Sequence, residues 1–251
     1  MSGTYSELAS FYNTLNGGVD YDEWAEFIDL ILKKHGVSKR TPILDAGCGT
    51  GQITVRLAEQ GYDMIGADIS PEMLAVAREF ADERHVKPLF ICQNMSSIEL
   101  YGSVAAAIST LDSVNYLTKK EDLLSFFSLM HNYIDDGGIL VFDVNTKKKF
   151  EEFYGQNDYV IDEEGVFCGW QNDYSKSSHI AAFYLNIFEE LPDGNYKRHF
   201  EVQKERYYPD KTLVKMLDEC GFEVADMYSD TDFSPVGKDD MRHFYVCKKN
   251  K

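Results

Sequence analysis

The sequence predicts an α/β fold: a doubly wound, seven-stranded, mostly parallel sheet whose last strand runs antiparallel, with an inserted antiparallel β cap. Three observations carry this. Short apolar runs alternate with helical patterns up to about residue 145. Long, aromatic, partly alternating stretches then fill residues 146–207. Two closing strand patterns follow with no helical periodicity between them, so they must pair antiparallel.

In chain order, residues 22–35 place Trp24, Phe27, Ile28, Ile31 and His35 at helical spacing, with Asp22 as the expected cap and Gly36 as the stop. "PILDAG" reads as a short buried strand, and residues 52–60 as a helix closed by Gly61. "YDMIGAD" is a second strand, ending at Asp68. Ser70-Pro71 opens the next helix, with Ser as N-cap and Pro at the first helical position. "KPLFICQN" and "SVAAAIST" are the third and fourth strands. Residues 119–135 form an amphipathic helix with Leu123, Phe127, Met130 and Ile134 on one face. Asp135-Asp136-Gly137-Gly138 should end it before a fifth strand, "GILVFDVN".

In the cap, "VFCGWQNDYS", "HIAAFYLNIFEEL" and "YKRHFEVQKERYY" read as three strands joined by turn-forming residues. The α/β pattern resumes with a helix that Asp210 should cap, its Leu213, Met216 and Leu217 facing inward. "FEVADMYS" and "HFYVCKK" make the final hairpin. The expected division is a ligand-binding domain of residues 1–145 and 208–251, with 1–36 as a helical lid, and a cap of residues 146–207.

The 251 residues are 44% hydrophobic, enough for a substantial core, and carry a formal net charge of −17. That charge repels phosphate backbones and anionic lipid, so nucleic acid and membrane surfaces are poor partners. Five dispersed cysteines without a CxxC pair argue against a disulfide framework or a zinc site. With no signal-peptide pattern and no apolar run near ~18 residues, a cytoplasmic protein is expected.

"ILDAGCGTGQ" joins the first strand to a helix through Gly47, Gly49 and Gly51. Open α/β sheets bind ligands at this place, where bare glycines let a ligand touch the main chain. Asp68, at the end of the neighbouring strand, can accept hydrogen bonds from two ribose hydroxyls. Dinucleotide-binding proteins share that device, but their third small residue falls where this chain has Gln52. The finishing hairpin is also foreign to them.

The block "ILDAGCGTGQITVRLAEQGYDMIGADISPEMLAVARE" resembles the class I S-adenosylmethionine-dependent methyltransferases, Rossmann-like enzymes, in their small-molecule branch with a β cap. The resemblance implies S-adenosyl-L-methionine as cofactor and S-adenosyl-L-homocysteine as product. It implies that Gly47, Cys48 and Gly49 lie along the methionine portion. Asp68 would hold the ribose, Ile69 and Met73 the adenine, and Asn94 and the Met95 backbone the ring edge. Asn94 stands where many members have an acid. Leu111, Asp112 and Tyr116 would line the methionine and acceptor sites. "YSELASFYNTL" looks like the N-terminal lid, in which Tyr5 and Tyr12 share a helix face and either touch the cofactor or dock the segment on the core.

Methyl transfer from a sulfonium needs alignment and exclusion of water rather than a metal or a covalent nucleophile. No metal is therefore expected. His199, Glu201, Gln203 and Glu205 alternate along one strand, read either as a solvated sheet face or as an acceptor wall. His199 is the base candidate by its ordinary pKa, and Arg206 and Tyr207 are placed near the acceptor by the resemblance. Trp170, Tyr174 and Tyr184 could wall the pocket or form cap core. Lys147, Lys148 and Lys149 read as a solvated helix start or a local basic patch. The expected partner is a small-molecule methyl acceptor, with the protein a monomer or homodimer. The alternatives are methylation of RNA or protein, a non-catalytic cofactor-binding partner and, more distantly, a dehydrogenase.

Overall fold

The computed structural model describes Ala9, residues 11–163 and residues 165–250. A seven-stranded sheet comprises β1 (Ile43–Ala46), β2 (Met64–Asp68), β3 (Leu89–Cys92), β4 (Val104–Ser109), β5 (Ile134–Asn145), β10 (Phe222–Tyr228) and β11 (Arg242–Lys249), in the order β10-β11-β5-β4-β1-β2-β3. All neighbours among β1 to β5 pair in parallel, and β11 runs antiparallel between β5 and β10. The expected hairpin is there.

Each strand of the sheet centre is apolar on both faces because helices cover both. On one side Leu44, Ala107, Leu140 and Phe142 meet Leu123, Phe126, Phe127 and Met130 of α5 (Lys120–Tyr133) and Leu213, Met216 and Leu217 of α6 (Asp210–Glu219). On the other, Ile43, Met64, Ile108 and Val141 meet Phe27, Ile28, Ile31 and Leu32 of α2 (Tyr21–Lys34) and Ile53 and Leu57 of α3 (Gln52–Glu59). Burying a side chain such as Phe127, which is 0% exposed, contributes about 1.5–3 kcal/mol. α4 (Pro71–Glu83) follows β2, with Ser70 Oγ accepting from the Met73 amide as the N-cap. A short α1 (Tyr12–Leu15) precedes α2.

The second sheet is four-stranded and antiparallel, in the order β6 (Tyr159–Glu163), β7 (Val166–Ser175), β8 (Ile180–Glu190) and β9 (Tyr196–Arg206). It is inserted between β5 and α6. Its edge strand β6 escapes sequence reading because it is short and half-charged, and a π-helical turn, Lys149–Tyr154, leads into it.

Three local expectations are corrected. Asp20, not Asp22, caps α2, accepting from the amides of Asp22 and Glu23 at 3.1 and 3.0 Å. Asp210 is the first residue of α6 rather than its cap, and its carboxylate instead accepts from Tyr245 Oη at 2.6 Å. The Asp135–Gly138 stretch lies inside β5. Ile134 already pairs with Val104, and the register then jumps so that Ile139 meets Ala106.

Candidate functional site

Over the carboxyl ends of β1 to β4 runs a groove of about 390 Å³, within the range of small-molecule sites. Its lining begins at Gln93, Asn94, Met95 and Ser96, passes Asp68, Ile69 and Met73, crosses Gly47 and Gly49, and reaches Leu111, Ser113 and Tyr116. Tyr12 of α1 also lines it. A side lobe of about 30 Å³ under the glycine loop adds Tyr21, Cys48, Gln52 and Thr110.

The loop is bare for reasons of space. Gly47 has φ +80°, and a Cβ there would lie 2.9 Å from Ser113 Cβ. At Gly51, with φ +74°, a Cβ would lie 2.9 Å from Ala77 Cβ, so this glycine lets α4 approach. The loop amides, however, are largely spent within the protein. Those of Gly47 and Cys48 donate to Ala67 O at 2.7 and 3.0 Å. That of Gly49 donates to Asp68 Oδ2 at 2.9 Å. The loop therefore offers a ligand open main-chain surface more than a nest of donors.

Asp68 Oδ1 accepts from the Ser70 amide at 2.9 Å, so each carboxylate oxygen has one backbone donor and retains capacity for another. Burial raises the Asp68 pKa, and the amides of Ser70 and Gly49 oppose that rise. Ile69 is 55% exposed on the groove floor, an apolar face open to a flat ligand. Met73 is buried against Ala9 and Phe11.

Asn94 lines the groove, but its Oδ1 accepts from Ser96 N at 2.9 Å and Ser96 Oγ at 3.0 Å. With both lone pairs engaged, it presents donors rather than the expected acceptor. Asp122, from the first turn of α5, also lines the groove and was not picked out from the sequence, where it reads as a helix-start acid.

The expected residues divide. Tyr12, Gly47, Gly49, Asp68, Ile69, Met73, Asn94, Met95, Leu111 and Tyr116 come together in the groove, and Cys48 in its side lobe. Tyr5 lies outside the described residues. Tyr116 Oη donates to Gln203 Oε1 at 3.0 Å, joining the groove to the cap. Asp112, expected at the cofactor, is not among the lining residues, and neither is His199. His199 is bonded to Glu189 at 3.1 Å and packs on Phe11 with ring centroids 5.1 Å apart, which ties it to the cap and the N-terminal segment. Arg206 also stands behind the lining, donating to the carbonyl of Thr118 at 2.7 Å. Trp170 and Tyr174 pack with Phe183 and Phe150 as cap core.

Beyond Leu111 lies a cluster of buried charge. Leu111 and Asp112 both adopt left-handed φ, +56° and +55°, a strained pairing for two non-glycine residues. It is held by Asp143, whose Oδ2 accepts from the Asp112 amide at 2.8 Å, and by Arg242, which donates to Asp112 Oδ1 at 2.8 Å and also to Asp143. Arg242 lies over the Trp24 ring at 5.2 Å. Of the two readings of the β9 stripe, a solvated face is excluded: the stripe is turned in, with His199, Gln203 and Glu205 at 6%, 5% and 1% exposure. Glu205 Oε2 accepts from Asn145 Nδ2 at 2.9 Å. Asn115 bridges the same seam, accepting from the Asn145 amide and donating to Arg206 O. Of the three lysines, Lys147 is exposed, whereas Lys149 turns in over the Phe153 and Tyr154 rings at 5.2 and 5.7 Å.

Among the described residues there is no group of three or more His, Cys, Asp or Glu side chains fit to hold a metal, and no helix long and apolar enough to cross a membrane.

Comparison with known proteins follows the same lines. A family profile described as a methyltransferase domain matches residues 43–138, the span from β1 into β5. A Geobacillus sp. (strain WCH70) protein named "Putative methyltransferase" is 32% identical over 98% of this chain and 100% of its own length. A glycine/sarcosine N-methyltransferase of Halorhodospira halochloris is 26% identical over 91% of this chain and 82% of its own. The crystal structure of an S-adenosylmethionine-dependent methyltransferase from Clostridium acetobutylicum superposes with a TM-score of 0.89 at 27% identity, covering 98% of this chain and 99% of that one. With the glycine loop, Asp68 and the β11 hairpin in their places, the chain belongs to the class I S-adenosylmethionine-dependent methyltransferases.

Proposed function

We propose that this methyltransferase binds S-adenosyl-L-methionine in the groove and transfers its methyl group to a small molecule held under the cap. The observation that carries this reading is the continuity of the groove. It runs from an open apolar floor at Ile69, past a carboxylate at Asp68, over the glycine loop to Leu111 and Tyr116, where Val202 and Lys204 of the cap strand β9 also line it. These surfaces fit adenine, ribose and the amino-acid arm in turn. S-adenosyl-L-methionine supplies an electrophilic methyl group on a sulfonium. The glycine/sarcosine relative acts on small acceptors, which agrees with the covered, acidic surroundings here.

The chain's own residues bind, orient and exclude water. Asp68 would take the ribose hydroxyls on the lone pairs that Gly49 and Ser70 leave open. Ile69, Met73 and Met95 would sandwich the adenine. Gly47, Cys48 and Gly49 would pass along the methionine arm. Tyr12 and its segment would close the groove, and Leu111 would face the reacting end. Alignment within a dry site is the main catalytic device, worth up to about 7–11 kcal/mol when the reacting atoms are well oriented. The cap of residues 146–207 supplies acceptor specificity, with Tyr116 and Gln203 at the seam.

Calorimetric titration with S-adenosyl-L-methionine, S-adenosyl-L-homocysteine and NAD tests the reading. Binding of the first two alone is expected. Binding of NAD in their place, or of none of the three by folded protein, would sink it.

A further inference from the structure

The sheet dictates where an acceptor must lie. The glycine loop sits over β1, Asp68 over β2, Asn94 and Met95 after β3, and Leu111 and Asp112 after β4. A ligand running along these ends points its far end at the next ones, the close of β5 and the start of β11. Asp143, Asn145 and Arg242 stand there, and Glu205 of β9 covers them.

The charges in this cluster do not balance when all are ionised. Asp112, Asp143 and Glu205 are three carboxyls, against two cations, Arg242 and Lys149. Arg242 is already shared by Asp112 and Asp143. Glu205 is 1% exposed and abuts Asp112, and burial first, then the Asp112 charge, push its pKa well above the usual carboxylate range despite Asn145 and Lys149. Three carboxyls against two cations leave the cluster one positive charge short. The hydrogen bonds are lopsided in the same sense. Asp143 Oδ1 and Asn145 Oδ1 are buried and receive no donor among the described residues. Buried acceptors without donors are costly, and what would satisfy these is a group carrying N–H bonds and positive charge.

Resting on the reading that the groove holds S-adenosyl-L-methionine and a small acceptor, we propose that the Asp112–Glu205 carboxyl pair, with Asp143 Oδ1 and Asn145 Oδ1, is the acceptor subsite and selects an amine arriving as its ammonium ion. Ammonium binding displaces the Glu205 proton to solvent. Before transfer, one N–H proton of the ammonium passes to the Glu205 carboxylate, restoring the shared-proton pair. The freed nitrogen lone pair then forms the N–C bond to the methyl carbon, and the C–S bond breaks with its electron pair going to sulfur. The product leaves as a methylated ammonium ion. The strained Leu111–Asp112 turn sets one carboxylate of the pair immediately after Leu111, which lines the groove.

The test uses the full chain and methylammonium chloride as a minimal ammonium probe, with tetramethylammonium chloride, which has no N–H, as the control for salt. Infrared difference spectra report protonated buried carboxyls directly, and Glu205→Gln identifies the signal that belongs to Glu205. Loss of that signal with methylammonium but not with tetramethylammonium is expected, together with ~10-fold weaker methylammonium binding in Glu205→Gln, where a donor–acceptor pair survives but cannot ionise. A Glu205 signal absent from the free protein, or indifferent to both salts, overturns the proposal. Should Glu205→Gln fail to fold, Asp112→Asn serves as the second variant, with the same weakening expected. S-adenosyl-L-methionine titration of the same samples keeps the two readings apart. A wild-type protein that binds no S-adenosyl-L-methionine but passes the infrared test fails the cofactor reading alone.

Discussion

At Asp68 a carboxylate is held by two main-chain amides, those of Gly49 and Ser70, in a groove whose floor is glycine and exposed Ile69. Two strands further along the sheet, at Asp112 after β4, a carboxylate is held by an arginine from β11, with further carboxyls from β5 and β9 beside it. The first arrangement is made of backbone shape and remains open. The second is made of side-chain charge and is closed. A groove fixed by main-chain geometry keeps its form when single side chains change. A cluster fixed by opposed buried charges loses it, because each partner removed leaves another uncompensated.

The sharpest way to break this contrast is Arg242→Met. It strips Asp112 and Asp143 of their shared cation, and a loss of about 3–5 kcal/mol in urea denaturation is expected. A loss below about 1 kcal/mol would mean that the cluster carries no such tension. Next is Asp68→Ala, whose effect should fall on ligand rather than on fold. Hydrogen bonds to a charged group are worth ~1.5–3 kcal/mol each, so S-adenosyl-L-methionine affinity should drop on the order of 100-fold by calorimetry. A drop under about threefold with intact folding would remove Asp68 from the ribose site. Ile69→Ala should be milder. Ile69 is more than half exposed, so thermal stability should hold while affinity falls by roughly fivefold. A large loss of stability would show that Ile69 supports the fold instead.

The smallest effect expected is a slope with pH. Burial lowers the His243 pKa, but the hydrogen bond to Asp210 and the charges of Asp210 and Asp240 outweigh it, so the folded value is raised. The stability this contributes is present below the ordinary histidine pKa of about 6.5 and is lost as pH rises through the raised folded value. His243→Gln should flatten that decline in urea midpoints taken from about pH 6 to pH 8. An unchanged slope would assign it to another group.

The two regions also differ in how far they can be read from sequence. Gly47, Gly49, Gly51, Asp68 and Ser70 fall within 24 residues, at spacings that backbone geometry imposes, and the strand–turn–helix context is local. The α/β order and closing hairpin are legible for the same reason, since periodicity and turn chemistry are properties of short stretches. Asp112, Asp143, Lys149, Glu205 and Arg242 come from five separate segments, and no spacing rule links them. The alternation of β9 is visible, but its inward direction depends on what the cap packs against, so His199 could be proposed as a base while Glu205 stayed open between a solvated face and an acceptor wall. Asn94 misleads differently. Its amide could accept a hydrogen bond from adenine, and only the fold reveals that Ser96 already uses it.

β11 holds one more consequence. β11 lies between β5 and β10, so the join of β10 to the parallel strands depends on residues 242–249, which follow all the other strands in the sequence. During translation β5 must wait with one edge unpaired, an invitation to mispairing. The Arg242 bonds to Asp112 and Asp143 join this late strand to the turn beside the groove, so assembly of the buried charges coincides with closure of the sheet. Deleting residues 240–251 would remove the strand that joins β10 to β5, and with it the cation that holds Asp112 in place.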